Sequence, residues 1–404
     1  MRHLTWISLG CLACIASPHT ATAQQETSTA STSTMRSLLA LKSSDGRSHE
    51  IEAIALGRAG HTDVLYALEL NSQPGFSRDG EYLLWKLDLT GKVLHKASIA
   101  KMVSREPPRV TIVPLPAPHG GAIIVGMFRD RLGWSLLRVN DAGRIETNRR
   151  LAGDAFLKAI LLSNAKELLL VGWRGRDGSV WRTDLDGNVQ WQKTYTREFT
   201  TERKPPARIL CDIALTDDQG GFVVAGEFGE LYKMGLGRPR VWLLRCDPAG
   251  NVLGETTFPG CDPLMCALGS GQFAVAHTAA AVENRVRLVD LQLREQWEKK
   301  VDIAAVWIER PAIGSVPGGR GFVVAGARPV KGGAERRCEC GFFQYNALGQ
   351  VVSSASSMPL ASAALPQPHV SCDASRAHIA ARTKGGFDPA EVHEASIWEI
   401  PLKK

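Results

Sequence analysis

Gly220-Gly-Phe-Val-Val-Ala-Gly226, then Val241-Trp-Leu-Leu-Arg-Cys246, then Asp247-Pro-Ala-Gly250 and Asn251 to Phe258. Read in order, these pieces are a glycine turn, a short apolar strand, a second apolar strand, a tight turn and a third strand. Gly250 stands where a hairpin turn wants a left-handed residue. Each strand is apolar at successive positions rather than at alternate ones. A strand of that kind needs both faces covered.

The same order recurs along the chain. Gly120-Gly-Ala-Ile-Ile-Val-Gly126 precedes Trp134 to Asn140 and then Asp141-Ala-Gly143. Leu168 to Gly172 precedes Val180-Trp-Arg-Thr-Asp184 and then Leu185-Asp-Gly-Asn-Val-Gln-Trp191. Gly321 to Gly326 precedes Gly341 to Asn346 and then Ala347-Leu-Gly349. Tyr82 to Asp88 with Thr90-Gly91 is an earlier copy, and Gln272 to Ala276, Val286 to Asp290 and Gln296-Trp297 form a degenerate one. Ser396-Ile-Trp398 belongs to a partial last copy. The turn glycines fall roughly 45 to 65 residues apart, with two repeats before Gly349, and a period of that size marks a repeat architecture. Helical spacing is largely missing, and Gly and Pro interrupt most windows. The expectation is an all-β chain, a β-propeller of about seven four-stranded blades, with six as the alternative. The last copy lacks a fourth strand. Met35 to Leu41 could supply it and close the ring from the N-terminal end.

These units resemble bacterial secreted β-propeller repeat proteins. Their repeats read aromatic, aliphatic pair, basic residue, Asp-x-x-Gly-Asn, then Trp and Lys, with a later Gly-Gly-aromatic-aliphatic strand. Trp181 to Lys193 and Trp242 to Asn251 match best, and the likeness covers most of residues 50 to 350. It implies a propeller and export. The family carries no catalytic motif to transfer.

The 404 residues are 44% hydrophobic and 22% charged, ordinary values for a folded chain with a large core. Residues 1–23 read as a signal peptide: basic Arg2 and His3, an apolar run from Leu4 to Ala16, and Ala21-Thr-Ala23 at the cleavage position. Residues 24–34 are rich in Ser, Thr and Gln and read as a flexible linker, leaving 35–404 as the propeller domain. The apolar run is too short to span a bilayer, and no later stretch of about 18 apolar residues follows. The expected location is periplasmic or extracellular, with no transmembrane segment after cleavage.

Net charge is +7, or +6 once Arg2 is removed. The cations are scattered, and the densest knots, Arg149-Arg150, Arg203-Lys204 and Arg336-Arg337, are too short to read as a nucleic-acid arm. The longest insertions run from Arg197 to Arg208, Glu227 to Arg240 and Arg328 to Arg337, all rich in Arg, Lys, Gly or Pro. Loops of this kind gather on propeller rims, where partners dock. Arg203, Lys204, Arg336 and Arg337 are therefore the candidate binding residues, for an unknown protein or an anionic glycan.

Seven cysteines would remain after cleavage, and an oxidising compartment favours pairing. Cys261 with Cys266, Cys211 with Cys246, and Cys338 or Cys340 with Cys372 are the candidate bridges. Cys338, Cys340, His369 and Cys372 also make a set that zinc would accept. The bridge is the favoured reading, and no metal site or cofactor is assigned. Asp184-Leu-Asp-Gly-Asn188 has alternating oxygens, but calcium needs six to eight ligands and the next residues are Val189, Gln190 and Trp191; it reads as a hairpin turn.

Neither His-Glu-x-x-His nor Gly-x-Ser-x-Gly occurs. Trp85, Trp134, Trp181, Trp242 and Trp398 recur at equivalent strand positions and read as blade packing. Trp173, Trp191, Trp297 and Trp307 fall outside that register and read as candidates for exposed binding surface. The favoured function is an exported, non-enzymatic binding or scaffold propeller of the cell envelope, expected to be a monomer. The alternatives are an enzyme acting on envelope glycans, a quinone-dependent dehydrogenase-like protein suggested by Asp88-Leu-Thr-Gly-Lys92, and a periplasmic inhibitor or immunity protein.

Overall fold

The computed structural model describes residues 31–32, 35–42, 47–59, 62–73, 80–101, 110–128, 133–152, 155–174, 177–196, 207–216, 220–229, 239–269, 271–279, 283–304, 311–329, 338–356, 368–384 and 394–403. Every regular element among them is a strand, and no helix is long and apolar enough to cross a membrane. The signal and most of the linker expected from the sequence lie outside the described residues.

Two strands come first, β1 (Ser31–Thr32) and β2 (Arg36–Leu41). Blade 1 is β3 (Ser48–Ala59), β4 (Thr62–Ser72), β5 (Gly80–Asp88) and β6 (Val93–Lys101). Blade 2 is β7 (Thr111–Pro114), β8 (Ala122–Phe128), β9 (Gly133–Val139) and β10 (Ile145–Arg150). Blade 3 is β11 (Ala155–Leu161), β12 (Glu167–Arg174), β13 (Asp177–Asp184) and β14 (Val189–Tyr195). Blade 4 is β15 (Ala207–Leu215), β16 (Phe222–Gly229), β17 (Arg240–Cys246) and β18 (Val252–Pro259). Blade 5 is β19 (Cys261–Gly269), β20 (Gln272–Ala279), β21 (Glu283–Asp290) and β22 (Glu295–Ala304). Blade 6 is β23 (Ala312–Val316), β24 (Gly321–Pro329), β25 (Cys338–Tyr345) and β26 (Val351–Ser356). Blade 7 is β27 (His369–Cys372), β28 (Arg376–Lys384) and β29 (Glu394–Pro401), completed on its outer side by β2.

The chain is therefore a seven-bladed β-propeller of antiparallel four-stranded blades. The first strands of the blades touch in turn around the axis, from β3 through β7, β11, β15, β19 and β23 to β27 and back to β3. Closure is made by the N-terminal strand, as the strand count implies: Arg36 sits opposite Glu399, Leu39 opposite Ile397 and Leu41 opposite Ala395. Arg36 also donates to Glu399 at 3.0 Å.

Continuous apolar strands follow from this stacking. Ile124 in β8 packs towards blade 1, whereas Ile123 and Val125 pack towards blade 3. Phe222 and Val224 in β16 face blade 3; Val223 and Ala225 face blade 5. Seven apolar clusters fill the seven junctions between neighbouring blades. Each fully buried aliphatic or aromatic side chain contributes roughly 1.5–3 kcal/mol relative to exposure.

The turn between the third and fourth strands is one device used six times. Asp88, Asn140, Asp184, Asp247, Asp290 and Asn346 each accept a backbone N–H from four residues on with the side-chain oxygen. Each backbone carbonyl takes the N–H three residues on, from a residue with positive φ. Five of those residues are glycines; blade 5 has Leu293 at φ 62°. Leu293 is buried, so its packing offsets the left-handed backbone. Such a turn consumes the oxygens that a calcium reading of Asp184 would require.

The outer strand of one blade then clamps the next blade's turn. Lys193 donates to Asn251 at 3.3 Å, and the Trp191 ring lies where a Cβ on Gly250 would be. Lys299 donates to the Gly349 carbonyl at 2.7 Å, and Trp297 lies over Gly349 and stacks on Phe322. This gives the Trp-x-Lys spacing of the repeat a structural reason.

Candidate functional site

The inner strands bring the most chemistry together. β11 and β15 each carry a bulge, between Phe156 and Lys158 and between Leu210 and Asp212. A bulge re-aims the residue that follows it. Here those residues are Lys158 and Asp212, paired at 3.0 Å. Asp212 is buried, and it also accepts the N–H of Ile213 and of Met265 in blade 5, both at 2.8 Å. One carboxylate thus ties blades 3, 4 and 5.

Within electrostatic reach of this pair lie His369 on β27, which feels Lys158, and Cys266 on β19, which feels Lys158, Asp212 and Cys372 of β27. Burial pushes the His369 imidazole down to about 4, against a hydrogen bond with the Ile51 backbone, and the Lys158 ammonium adds to the shift. Burial pushes the Cys372 thiol up to about 12 and holds Cys266 well above its ordinary value. At neutral pH the cluster is a neutral imidazole, two protonated thiols and a closed ion pair. Protonated thiols are poor nucleophiles, and Cys266 is in addition buried, whereas Cys372 is half-buried. Among the described residues, no group of three or more His, Cys, Asp or Glu is placed to hold a metal ion.

A concavity of about 450 Å³ opens between blades 1 and 2 and is lined by Thr62, Val64, Lys86, Asp88, Leu94, His95 and Asp141. Its charged floor is already satisfied. Lys86 donates to Asp141 at 2.6 Å, and the Gly121 N–H and the Tyr66 hydroxyl donate to the same carboxylate at 3.0 and 3.2 Å. Asp88 is held below the usual carboxylate range by hydrogen bonds, first from Thr90. A third polar cluster lies on blade 5, where Glu298 accepts from Arg285 and Arg287 at 2.7 Å each and contacts His277 at 3.2 Å. Partial burial would raise the Glu298 pKa, but the two arginines hold it at about 2. Burial pushes His277 down to about 4 despite Glu298.

The expected bridges are not formed: Cys246, Cys266 and Cys372 carry free thiols. Cys261 and Cys266 sit on one strand, β19, where five fully extended residues would span about 16 Å and the bulge after Cys261 shortens this only in part. A disulfide needs Cα atoms about 4.4–6.8 Å apart. Cys211 lies on β15 and Cys246 on β17, with β16 between them. Cys340 lies on the third strand of blade 6, whereas Cys372 is on the innermost strand of blade 7. Cys340 is buried in the apolar cluster between those blades. The side chains of Cys211 and Cys338 lie outside the described residues.

The tryptophans divide differently from the sequence expectation. Trp134, Trp181 and Trp242 are buried, and Trp85 and Trp398 pack on the interblade clusters, as equivalent positions imply. Trp173, Trp191 and Trp297 are also packed against those clusters, so they are not free binding surface. Trp307 lies outside the described residues. So do Arg203, Lys204, Arg336 and Arg337.

Topology locates the strand ends that flank those four. In each blade the first-to-second connection and, in blades 1 to 6, the third-to-fourth connection leave from one face of the disc. Second-to-third connections, and those passing to the next blade, leave from the other. Arg203 and Lys204 fall between β14 and β15, and Arg336 and Arg337 between β24 and β25, so all four are flanked by strand ends on that second face.

The fold and its internal pairings define a closed propeller scaffold with committed interior charges. No family model and no curated protein matches the chain.

Proposed function

We propose that this is an exported, non-catalytic binding propeller of the cell envelope that docks an anionic partner on the second face of its disc. The observation that carries the reading is the asymmetry of the connections. The connections flanked by strand ends on that face hold seventeen Lys and Arg against twelve Asp and Glu in sequence, and those at the opposite face hold five against six. Their lengths also differ. The opposite face is joined by short connections, six of them built on one turn template, whereas the second face has connections such as 197–206, 330–337 and 357–367. Variable, cation-rich connections on a rigid scaffold are where recognition is usually built. The interior supports binding over catalysis as well, since Asp212, Asp141 and Glu298 are each saturated by protein partners.

An immobilised acidic polysaccharide, with a neutral one as control, tests the reading. The wild-type chain should be retained at low salt and released as ionic strength rises. The variant R203E/K204E/R336E/R337E should lose about tenfold or more in affinity while keeping its circular dichroism. Equal retention of variant and wild type, or equal retention on the neutral polymer, would refute it.

A further inference from the structure

The outer strands of the blades are sheet edges, and such edges invite pairing unless charge or Pro protects them. Six of the seven carry charge: Lys96 and Lys101 on β6, Glu146, Arg149 and Arg150 on β10, Lys193 on β14, Glu255 on β18, Glu298, Lys299 and Lys300 on β22, and Arg36 on β2. β26 departs from the rule. Its sequence, Val351-Val-Ser-Ser-Ala-Ser356, has no charge and no Pro. It is also the edge on which a further strand sits: β1 pairs with it in parallel, Ser31 opposite Ser353 and Thr32 opposite Ser354. These two observations are independent, one from side-chain chemistry and one from backbone pairing.

We propose that the outer edge of blade 6 is a peptide-docking surface that takes an extended, uncharged Ser/Thr-rich strand parallel to β26, with Ser31–Thr32 acting as a displaceable cover. Main-chain hydrogen bonds to an open edge supply affinity, and the small residues of β26 select against bulky or charged strands. The chain itself shows what the edge accepts, because Ser31 and Thr32 belong to Thr27-Ser-Thr-Ala-Ser-Thr-Ser-Thr34. A partner would carry a similar uncharged segment. A two-residue cover forms few hydrogen bonds, and its hold comes from being tethered to β2 at high effective concentration. This surface stands apart from the basic face and does not depend on it.

The probe is a fluorescent synthetic octapeptide with the sequence of residues 27–34, titrated into the full chain and read by anisotropy. Saturable binding is expected, and the variant S31P/T32P, whose cover can no longer donate its N–H groups, should bind about tenfold tighter or better. S354K should weaken binding to both backgrounds, whereas S354T should not, and an octapeptide with Lys at alternate positions should not bind. Absence of saturable binding to S31P/T32P at millimolar peptide, with native circular dichroism, would overturn the proposal. So would equal binding by S354K. Concentration-dependent dimerisation that S354K abolishes, without peptide binding, would overturn the peptide partner in favour of a second copy of this chain.

Discussion

Replacing Asp212 with alanine should be among the most damaging single changes of a polar residue in the ring. The carboxylate is 1% exposed and accepts the N–H groups of Ile213 and Met265 and the ammonium of Lys158. Alanine leaves the two N–H groups without that acceptor, and an orphaned buried donor costs about 1–3 kcal/mol. Lys158 is 38% exposed, so loss of the ion pair itself adds only about 1 kcal/mol. The expected total is about 4 kcal/mol, a large part of a typical folding free energy of about 5–15 kcal/mol. Asparagine keeps one acceptor oxygen and should cost about half as much. Lys158→Met should cost about 1 kcal/mol, because the carboxylate retains both N–H donors. Urea unfolding followed by tryptophan fluorescence reads all three. Asp186→Ala is the control: that carboxylate also serves two partners, Arg138 and Thr147, but it is 46% exposed. If Asp212→Ala and Asp186→Ala unfold at the same urea concentration, the claim that one buried carboxylate joins three blades is wrong.

The imidazoles of His277 and His369, both held near 4 by burial, are kept neutral by the fold, so their stabilisation is complete above about 6.5 and is lost as pH falls from 6.5 to 4. The unfolding free energy from urea titrations should decline across that window by an amount on the order of 3 kcal/mol per residue, and His277→Gln should flatten the decline. Gly349→Ala should cost about 2 kcal/mol or more, because a Cβ there meets Trp297 at 2.7 Å on top of the positive φ. Gly220→Ala, also at positive φ but with its nearest neighbour at 3.9 Å, should cost only about 1 kcal/mol in thermal or urea unfolding. Leu293→Gly relieves a left-handed backbone but surrenders a buried side chain, so the variant should be less stable by about 1 kcal/mol, and a gain would show that strain outweighs packing.

The fold was legible because a propeller repeats its local solutions. An Asp or Asn, a left-handed residue three positions on and a Trp-x-Lys in the outer strand are each demanded by a turn or by the neighbouring turn. Blade 5 reads as degenerate for a physical reason, since Leu293 replaces the glycine and hides the signal. Closure by the N-terminal strand followed from counting, because a ring with three strands in its last blade must borrow one. Trp191 and Trp297 were misleading when read singly. The lysine two residues beyond each, Lys193 and Lys299, was the sign that they clamp the next turn. Cysteine pairing needed the strand order, which sequence spacing does not contain. Lys158 and Asp212 were invisible because bulges break the alternation that would have paired them.

The candidate site is harder to read for a reason that the same repetition explains. Asp88 and Asp247 lie at the surface, yet hydrogen bonds from Thr90 and Asn251 hold both below the usual carboxylate range, so these acids serve the scaffold. Six blades reuse that turn on one face. A surface built from a template carries little information about a particular partner. Specificity must then come from the parts that vary, and topology puts the length variation on the other face. The connection there between blades 4 and 5 is Gly260 alone, whereas Glu283 and Arg285, at the start of β21 on the same face, form an ion network with Lys300 of β22. The one edge without a protecting charge, β26, is the other departure from the template. A search for partners is therefore best directed at these two departures from repetition, where residues are not already explained by the blades themselves.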